Sequence, residues 1–247
     1  MRFVSLFLAF ACATVAVART RSVRSDELPL RNARSIVWVG AHPDDEVVVA
    51  PILAPLCRDG SARCTFIVLT HGGSGDVRAD EERASASYFN AQLTHLDNPD
   101  GGADRWDTDA LKQTIATIIK NAGADLVITF DPRHGSSCHP DHRRTAEIVL
   151  DAVKDIEIDL LETRIIYDAQ PFAIHFTPAG SASDGVVRFT ASDSAWQSMI
   201  DVMRLHPSQF DQSWIDAIKS MPAIDRAVFL ARSDFALRAA SNIAGCP

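Results

Sequence analysis

Three polar clusters in this chain of 247 residues contain side chains that can bind a divalent cation or transfer a proton. The first two are Ala41-His42-Pro43-Asp44-Asp45-Glu46 and Thr70-His71-Gly72-Gly73. The third begins with Asp131-Pro132-Arg133-His134 and ends with Cys138-His139-Pro140-Asp141-His142. Imidazoles and carboxylates are zinc ligands, and they are also common acids and bases in enzymes. These residue types therefore indicate metal-assisted hydrolysis.

The predicted metal ligands are His42, Asp45 and His142. His42 and Asp45 are three positions apart, so at the start of a helix they can share a face and bind one ion. His142 completes a His-Asp-His set, and three protein ligands with an open position are typical of catalytic zinc, whereas structural zinc normally has four. We therefore predict a zinc cofactor, although iron, cobalt or manganese would fit the same ligands.

Three neighbouring residues are candidates for acid-base chemistry. Asp44 lies beside the predicted ligands and is a candidate general base for a water bound to the metal. His139 can stabilise a developing oxyanion or protonate a leaving nitrogen, and Asp141 can orient His139 through a hydrogen bond. The predicted reaction is amide hydrolysis, in which the metal-bound water attacks the carbonyl carbon while Asp44 accepts a proton.

Each cluster taken alone also has a simpler explanation. A His-Pro-Asp segment is often only a turn, because proline and aspartate both favour turns. Asp44, Asp45 and Glu46 can equally be the first turn of a helix, where negative charge complements the helix dipole. His71 and His134 can be ordinary loop residues, and neither is assigned a role.

Apolar runs precede all three clusters and predict the elements that position them. Residues 36–39, 65–70 and 125–130 resemble buried strands, and the helix-length segments 46–56, 78–92 and 107–122 follow them or lie between them. In the first of these segments, Pro51 and Pro55 are expected to kink or shorten a helix. This alternation predicts right-handed βαβ crossovers and a mostly parallel sheet. We expect an α/β, Rossmann-like fold with the active site at the carboxyl ends of the strands.

The rest of the chain predicts additions to that sheet. Residues 143–153, 195–205 and 212–220 are helix-like, and short β-prone pieces between residues 164 and 190 predict a small β-rich cap or edge. The chain has no internal repeat and no glycine-serine linker. We therefore predict a single domain over residues 35–247, preceded by a lead-in segment over residues 19–34.

The first eighteen residues predict a signal peptide. A positive start is followed by an apolar stretch, and Ala16-Val17-Ala18 fits the small-x-small rule for cleavage before Arg19. The apolar stretch is short for a membrane span, so an uncleaved anchor is the less favoured alternative. This pattern predicts a secreted or periplasmic protein without a stable membrane span after cleavage.

Four cysteines would remain after cleavage, and an even number in an exported chain suggests two disulfides. Cys57 and Cys64 flank a turn-rich segment and form the favoured pair, which leaves Cys138 with Cys246 by default. The alternative is a zinc site built from thiolates, but no C-x-x-C spacing supports it.

The charge of the chain argues against one class of partner. The formal net charge is −8, and the sequence contains no long basic run. Nucleic acid is therefore not an expected partner. Acidity of this size favours solubility and does not identify a substrate.

The motif at residues 41–46 together with His139-Pro140-Asp141-His142 resembles the paired signature of the LmbE/PIG-L family of zinc-dependent N-acetylglucosaminyl deacetylases. The resemblance extends from Ile36 to about Gln209, because a glycine-rich loop leads to Arg78 and Glu81 and a late His-x-Ser-Gln element begins at His206. One departure is that Gly73 and Ser74 occupy a stretch where the family often has an acidic residue, which leaves the substrate open.

The resemblance implies the same roles as the residue chemistry. The positions matching His42, Asp45 and His142 hold the metal, and the position matching Asp44 is the general base. The positions matching His139 and Asp141 form the oxyanion-stabilising or acid pair. Arg78 lies near a family arginine that contacts substrate, with an ordinary solvated arginine as the alternative.

The predicted activity is removal of an N-acetyl or other N-acyl group from an amino-sugar or glycan substrate. Two other functions remain open: a zinc amidase acting on a thiol conjugate or a glycoside antibiotic, and a non-catalytic carbohydrate-binding protein with the same fold. A dinucleotide-dependent oxidoreductase is disfavoured, because no G-x-G-x-x-G follows the first strand.

Overall fold

The computed structural model describes residues 29–233 except Ser61, Ser74, residues 171–172 and residues 180–184. The predicted signal peptide and Cys246 lie outside the described residues. Within the described part of the chain, no helix is both long enough and apolar enough to cross a membrane.

The described strands form a seven-stranded main sheet and a separate two-stranded hairpin. The nine strands are β1 (Ser35–Gly40), β2 (Arg63–Thr70), β3 (Ala91–Asn98), β4 (Leu126–Phe130), β5 (Asp159–Thr163), β6 (Ile165–Gln170), β7 (Ala173–Pro178), β8 (Val187–Thr190) and β9 (Ala227–Arg232). The main sheet has the order β3-β2-β1-β4-β5-β9-β8. Its first five strands run parallel, and β9 and β8 are antiparallel additions at one edge. This confirms the predicted α/β fold.

The helices connect and cover these strands. They are α1 (Ala50–Leu53), α2 (Asp76–Tyr88), α3 (Thr108–Ala122), α4 (Gly135–Cys138), α5 (Pro140–Val153), α6 (Asp193–Met203) and α7 (Gln212–Ser220). Asp107 caps α3 by accepting a hydrogen bond from the Ala110 amide, and Gly123 ends it with a φ of 57°. Both signals act by satisfying backbone groups that the helix ends leave unpaired.

The two central strands carry the core. Every residue of β1 and of β4 is buried, which is expected for parallel strands covered by helices on both faces. Trp38 on β1 and Phe130 on β4 meet edge to face with their ring centroids 5.4 Å apart. The chain turns in opposite directions after these two strands, so their carboxyl ends form the crevice in which such sheets bind ligands.

Three strands and two helical segments differ from the sequence-based expectations. Strands β3, β5 and β9 were not predicted, and the helix predicted for residues 78–92 ends at Tyr88 because β3 begins at Ala91. Residues 46–56 do not form one helix. A 3₁₀ turn (Asp45–Val49) leads into α1 and then a π turn (Ala54–Arg58), since Pro51 and Pro55 prevent regular helical hydrogen bonding.

The predicted β-rich cap is present between β5 and α6. Strands β6 and β7 form the separate antiparallel hairpin, and β8 pairs with β9 at the edge of the main sheet. The predicted Cys57–Cys64 disulfide is also confirmed, with Cα atoms 5.8 Å apart. Cys138 is disulfide-bonded as well.

Candidate metal and acid-base site

The loop after β1 is shaped by the side chain of Asp45. Its Oδ2 atom accepts hydrogen bonds from the backbone amides of Ala41 and His42, each with a length of 2.7 Å. These two bonds fix the carboxylate inside its own loop. The second oxygen, Oδ1, lies 3.1 Å from Nε2 of His142, a residue of α5 that lies 97 positions later in the chain.

His142 lies in the first turn of α5 and is held on two sides. Its Nδ1–H donates to the carbonyl oxygen of Gly135 over 2.8 Å, and its ring stacks on Phe130 with centroids 4.2 Å apart. A neutral ring that donates through Nδ1 carries its lone pair on Nε2. That lone pair faces Nδ1 of His42 at 3.0 Å, so the predicted ligand atoms of three residues meet at one point.

His42 has its other nitrogen bonded to carboxylates. Nε2 lies 3.1 Å from Oδ2 of Asp141 and 3.1 Å from Oδ1 of Asp100. A histidine that binds a metal through one ring nitrogen commonly donates the N–H of its other ring nitrogen to a carboxylate. This hydrogen bond fixes the orientation of the ring and increases the basicity of the ligating nitrogen. The donor set of His42, Asp45 and His142 therefore fits a divalent cation of the zinc type. His139 also lies within ligand distance of the two other histidines.

The electrostatics of the cluster favour positive charge at this point. Burial lowers the pKa of His42, but hydrogen bonds to Asp141 and Asp45 outweigh burial and raise that pKa to about 10. For Asp45, burial acts to raise the pKa, but the interactions with His142 and His42 outweigh burial and hold this pKa well below the usual range. A cation bound here would replace the proton of His42, so binding should release a proton.

Asp44 has an unusual backbone and an unusual carboxyl group. Its φ is 100°, a left-handed conformation that costs a non-glycine residue about 1–3 kcal/mol. Burial and the neighbouring Asp45 charge raise the pKa of Asp44 to about 7, although Arg78 opposes them. The carboxylate accepts a hydrogen bond from Nη2 of Arg78 at 2.9 Å. A carboxyl group with a pKa near neutrality is suited to accept and return a proton.

Arg78 is buried in the wall of the site and is not an ordinary solvated arginine. Besides Asp44, its Nη2 donates to the carbonyl oxygen of Pro43 at 2.6 Å. Gly72 makes room for it, because a Cβ atom at Gly72 would lie 2.4 Å from Nη1 of Arg78. Arg78 therefore positions the Asp44 loop in the structure.

His139 caps the N-terminus of α5. Its Nδ1 accepts a hydrogen bond from the Asp141 amide at 3.2 Å, so the neutral ring carries its proton on Nε2, where it can be donated. Burial and the two neighbouring histidines lower the pKa of His139 below its ordinary value. The ring is half-buried and lies edge to face against His42, with centroids 4.7 Å apart.

Asp141 differs from the sequence-based expectation. Its carboxylate bonds to His42 and to the backbone amides of Gly101 and Ala103, at 2.8 and 3.1 Å, and its link to His139 is made through its own amide. Asp141 thus orients a predicted metal ligand and the loop after β3. The physical reason is position, because at N2 of α5 its side chain points back toward β3 and β1.

Asp100 was missed by sequence reasoning. It follows β3, a strand whose half-buried, polar residues gave no recognisable apolar run. Once β3 is known to be parallel to β2, its carboxyl end is expected at the same edge of the sheet as the other clusters. The recognisable signal was the Asn-Pro-Asp-Gly turn at residues 98–101.

A second buried network lies directly behind Asp44 and was also missed. His206 Nε2 lies 2.7 Å from Oε1 of Glu46, and the Ser85 hydroxyl donates to that same oxygen. Glu82 completes the group and accepts from the Asp44 amide at 3.3 Å. Burial and the Glu46 charge raise the pKa of Glu82 well above its usual range. No local pattern predicts a contact between residues 160 positions apart.

His71 and His134 lie outside the three-ligand cluster. His71 stacks on His95 with centroids 4.2 Å apart, and His134 Nδ1 lies 2.6 Å from Oδ2 of Asp131. Leaving both unassigned is therefore consistent with the geometry.

A cavity of about 160 Å³ opens beside the cluster. Asp44, Asp45 and His142 form one part of its wall. Apart from two serines of α4, the remaining wall is apolar and comes mainly from α6, α7, β7, the end of β4 and the 3₁₀ turn after Asp44. The cluster therefore borders a partly open, largely apolar cavity next to its acid-base group.

Comparison with known proteins gives one family match. The PIG-L model, described as GlcNAc-PI de-N-acetylase, matches residues 37–153. A probable N-acetylglucosaminyl-phosphatidylinositol de-N-acetylase of Schizosaccharomyces pombe is 28% identical over 240 residues, covering 89% of this chain and 95% of that protein. A Dictyostelium discoideum protein of the same description is 32% identical over 44% of this chain and 45% of its own length.

Solved structures support the fold. N,N'-diacetylchitobiose deacetylase from Pyrococcus horikoshii superposes with a TM-score of 0.60 at 16% identity, covering 81% of this chain and 84% of that one. At this identity the likeness concerns the fold alone.

The relatives contradict the predicted localisation. A secreted or periplasmic protein was expected, but the S. pombe and D. discoideum relatives are described by a substrate linked to phosphatidylinositol, which is a membrane lipid. The expectation rested on residues 1–18 alone, and these lie outside the described residues. The prediction of a secreted or periplasmic protein is therefore wrong.

Proposed function

Because the chain belongs to the PIG-L (LmbE-like) family of deacetylases, we propose that it is a metal-dependent amidase that removes the N-acyl group of an N-acetylglucosamine-type substrate. The observation that carries this proposal is the convergence of His42 Nδ1, Asp45 Oδ1 and His142 Nε2 beside an acidic group whose pKa is raised to about 7. One domain over residues 35–247 would carry this activity.

The proposed ligands are His42, Asp45 and His142, and zinc is the proposed metal. A divalent cation at this point would polarise the amide carbonyl and lower the pKa of a water molecule. The support comes from the chain itself: each ligand is already oriented by a second hydrogen bond, to Asp141, to backbone amides or to Gly135. Such preorganisation is typical of metal sites.

The proposed proton acceptor is Asp44. Its carboxylate lines the cavity beside Asp45, and Arg78 holds it there. In the hydrolysis, the oxygen atom of a water molecule bonds to the carbonyl carbon, and Asp44 takes up the proton that this water releases. Arg78 also remains a candidate substrate contact, because its guanidinium lies next to the carboxylate of Asp44, which would face the substrate.

His139 is the proposed partner of the carbonyl oxygen and the leaving nitrogen. With its proton on Nε2, it can donate a hydrogen bond to the oxyanion as negative charge develops. The C–N bond then breaks, the nitrogen gains a proton, and the products are a carboxylate and a free amine. Asp141 supports this geometry through the backbone of α5 and through His42.

The test is acetate release from N-acetylglucosaminyl-phosphatidylinositol and from N,N'-diacetylchitobiose. Zinc-loaded protein should release acetate and chelator-treated protein should not, with activity returning when the metal is restored. His71→Ala is a matched control, because His71 lies against His95 and outside the ligand set. Metal binding without hydrolysis of any N-acetylated sugar would instead favour a carbohydrate-binding protein, and hydrolysis of a thiol conjugate alone would favour the other amidase function.

A further inference from the structure

The cavity beside the cluster has a composition that differs sharply from what a sugar needs. Its polar lining residues are Asp44, Asp45, His142, Ser136 and Ser137. The other lining side chains are aliphatic, aromatic or thioether groups, and the buried ones include Ile174, Met199, Met203 and Ile218.

Such a wall disfavours the amino sugar itself. Burying a hydroxyl group without a hydrogen-bond partner costs free energy, and a pyranose bound here would place several of its hydroxyl groups against apolar side chains. A phosphate group is disfavoured too, because the described lining residues contribute the carboxyl groups of Asp44 and Asp45 and include no lysine or arginine. The cavity therefore fits the apolar part of a substrate.

The size of the cavity is larger than an acetyl group requires. A methyl group is about the size of one water molecule, whose share of liquid volume is about 30 Å³. An engineered cavity of about 150 Å³ lined by similar side chains binds benzene in another protein. The volume of about 160 Å³ therefore fits a chain of about six carbons.

His42 separates this cavity from the polar side of the site. Its Nδ1 faces His142, which lines the cavity, whereas its Nε2 faces Asp100, on the loop after β3, and Asp141, in the first turn of α5. A substrate whose amide bond lies at the cluster would then have its acyl chain in the cavity and its amino sugar on the side of Asp100 and Asp141.

We propose that the cavity lined by Met199, Met203, Ile174 and Ile218 is an acyl-binding subsite, and that the preferred substrate carries an N-acyl group of about six carbons. This inference rests on the proposed function and extends it. The reaction is balanced as hydrolysis: water adds across the C–N bond and yields a hexanoate-sized carboxylate and the free amine. No oxidant or further reactant is required.

The experiment compares N-acetyl-, N-butanoyl-, N-hexanoyl- and N-decanoyl-glucosamine with the zinc-loaded protein. Each buried methylene should raise kcat/KM about fourfold, so hexanoyl should exceed acetyl by about 200-fold, with no further gain at ten carbons. Equal or better hydrolysis of the acetyl substrate would overturn the subsite and leave the proposed function intact. A continued rise of kcat/KM up to ten carbons would overturn the proposed preference for an acyl group of about six carbons.

Two variants of one residue test where the chain binds. Met199→Trp fills the cavity and should lower the hexanoyl-to-acetyl ratio at least tenfold, whereas Met199→Leu nearly conserves volume and should keep that ratio. An unchanged ratio in a folded Met199→Trp protein contradicts binding in this cavity. If Met199→Trp does not fold, Val48→Phe provides the same test, because Val48 lines the same cavity.

A binding measurement separates the subsite from the proposed function. Calorimetry with hexanamide and acetamide uses probes that need no hydrolysis. Hexanamide should bind more tightly by about 200-fold, and this preference should diminish in Met199→Trp. If no N-acylglucosamine is hydrolysed but hexanamide binds more tightly than acetamide, the proposed function fails and the acyl-binding subsite stands. If the two amides bind equally, the subsite is overturned whatever the hydrolysis assay shows.

Discussion

The protein contains two adjacent buried clusters of histidine and carboxylate side chains that differ in what they can reach. The open cluster is His42, Asp45 and His142, and the closed cluster is Glu46, Glu82 and His206. Asp45 and Glu46 are consecutive residues, yet their side chains enter different clusters because they leave the 3₁₀ turn on different sides. The open cluster adjoins a cavity, whereas the three side chains of the closed cluster are fully buried.

This contrast shows that residue type alone does not make a metal site. In both clusters the ligand atoms are close enough to hold an ion. In the closed cluster the carboxylate of Glu46 pairs with His206, and burial together with the Glu46 charge raises the pKa of Glu82. The open cluster has backbone and carboxylate contacts that leave its ligand atoms facing inward. We expect metal chemistry in the first cluster and a contribution to folding stability in the second.

The largest expected effect comes from His142→Ala. This variant should lose the bound metal, from about one ion per chain to almost none, and turnover should fall at least about a thousandfold because a polarising cation supplies several kcal/mol. Metal content by mass spectrometry, measured beside His71→Ala, checks this result. Full metal retention in His142→Ala would remove His142 from the ligand set.

Asp44→Asn should separate proton transfer from metal binding. The asparagine keeps the shape but cannot accept the proton, so kcat should fall by about 10²–10⁴-fold while metal content is retained. Steady-state kinetics and metal analysis of the same sample provide both readouts. Loss of metal together with activity would instead make Asp44 a ligand.

Glu46→Gln should affect the closed cluster and leave the metal in place. Removing one partner of a buried ion pair typically costs about 3–5 kcal/mol, because the other charge is left uncompensated. Urea unfolding should show this loss of the free energy of unfolding. Glu147→Gln is the matched control: its pair with Arg144 is exposed, so its effect should be within about 1 kcal/mol. Equal effects of the two variants would contradict the proposed stabilising role.

The smallest expected effect is a pH dependence of the closed cluster. Burial lowers the pKa of His206, but Glu46 outweighs it and raises that pKa above its ordinary value. The stabilisation is therefore full below the unfolded-state pKa of about 6.5 and is lost as pH rises through the higher folded-state pKa. His206→Gln should consequently destabilise the protein more at pH 6 than at pH 9. Denaturant unfolding at the two pH values tests this, and an equal loss would contradict a charged His206.

The sequence predicted the parts of the fold that have strong local signals. Strands β1, β2 and β4 are continuous apolar runs, and the clusters that follow two of them, β1 and β4, contain all three proposed ligands. Strand β3 was missed because its side chains are only half-buried, and Asp100 was missed with it. Strand β9 was missed because its pairing with β5 is antiparallel and distant in sequence, and no preceding helix indicates it.

Side-chain partners were less predictable than positions. The role expected for Asp141 toward His139 depended on sequence proximity, but the folded chain brings His42 closer to its carboxylate. The contact between Glu46 and His206 spans the molecule and has no periodicity that a sequence pattern can reveal. Arg78 was predicted to contact substrate or, alternatively, to be an ordinary solvated arginine, but it is buried beside Gly72, where a Cβ atom would meet its guanidinium.

The walls of the apolar cavity have a consequence for protein engineering. All proposed ligands and acid-base groups lie within residues 37–153, which the PIG-L model matches, while the lining residues Ile174, Met199, Met203 and Ile218 lie beyond that segment. These four positions can therefore be varied independently of the reacting groups, although Val47, Val48 and Phe130 line the same cavity from within the matched segment. A library randomised only at those four codons would sample new substrate preferences without touching the codons for the reacting groups.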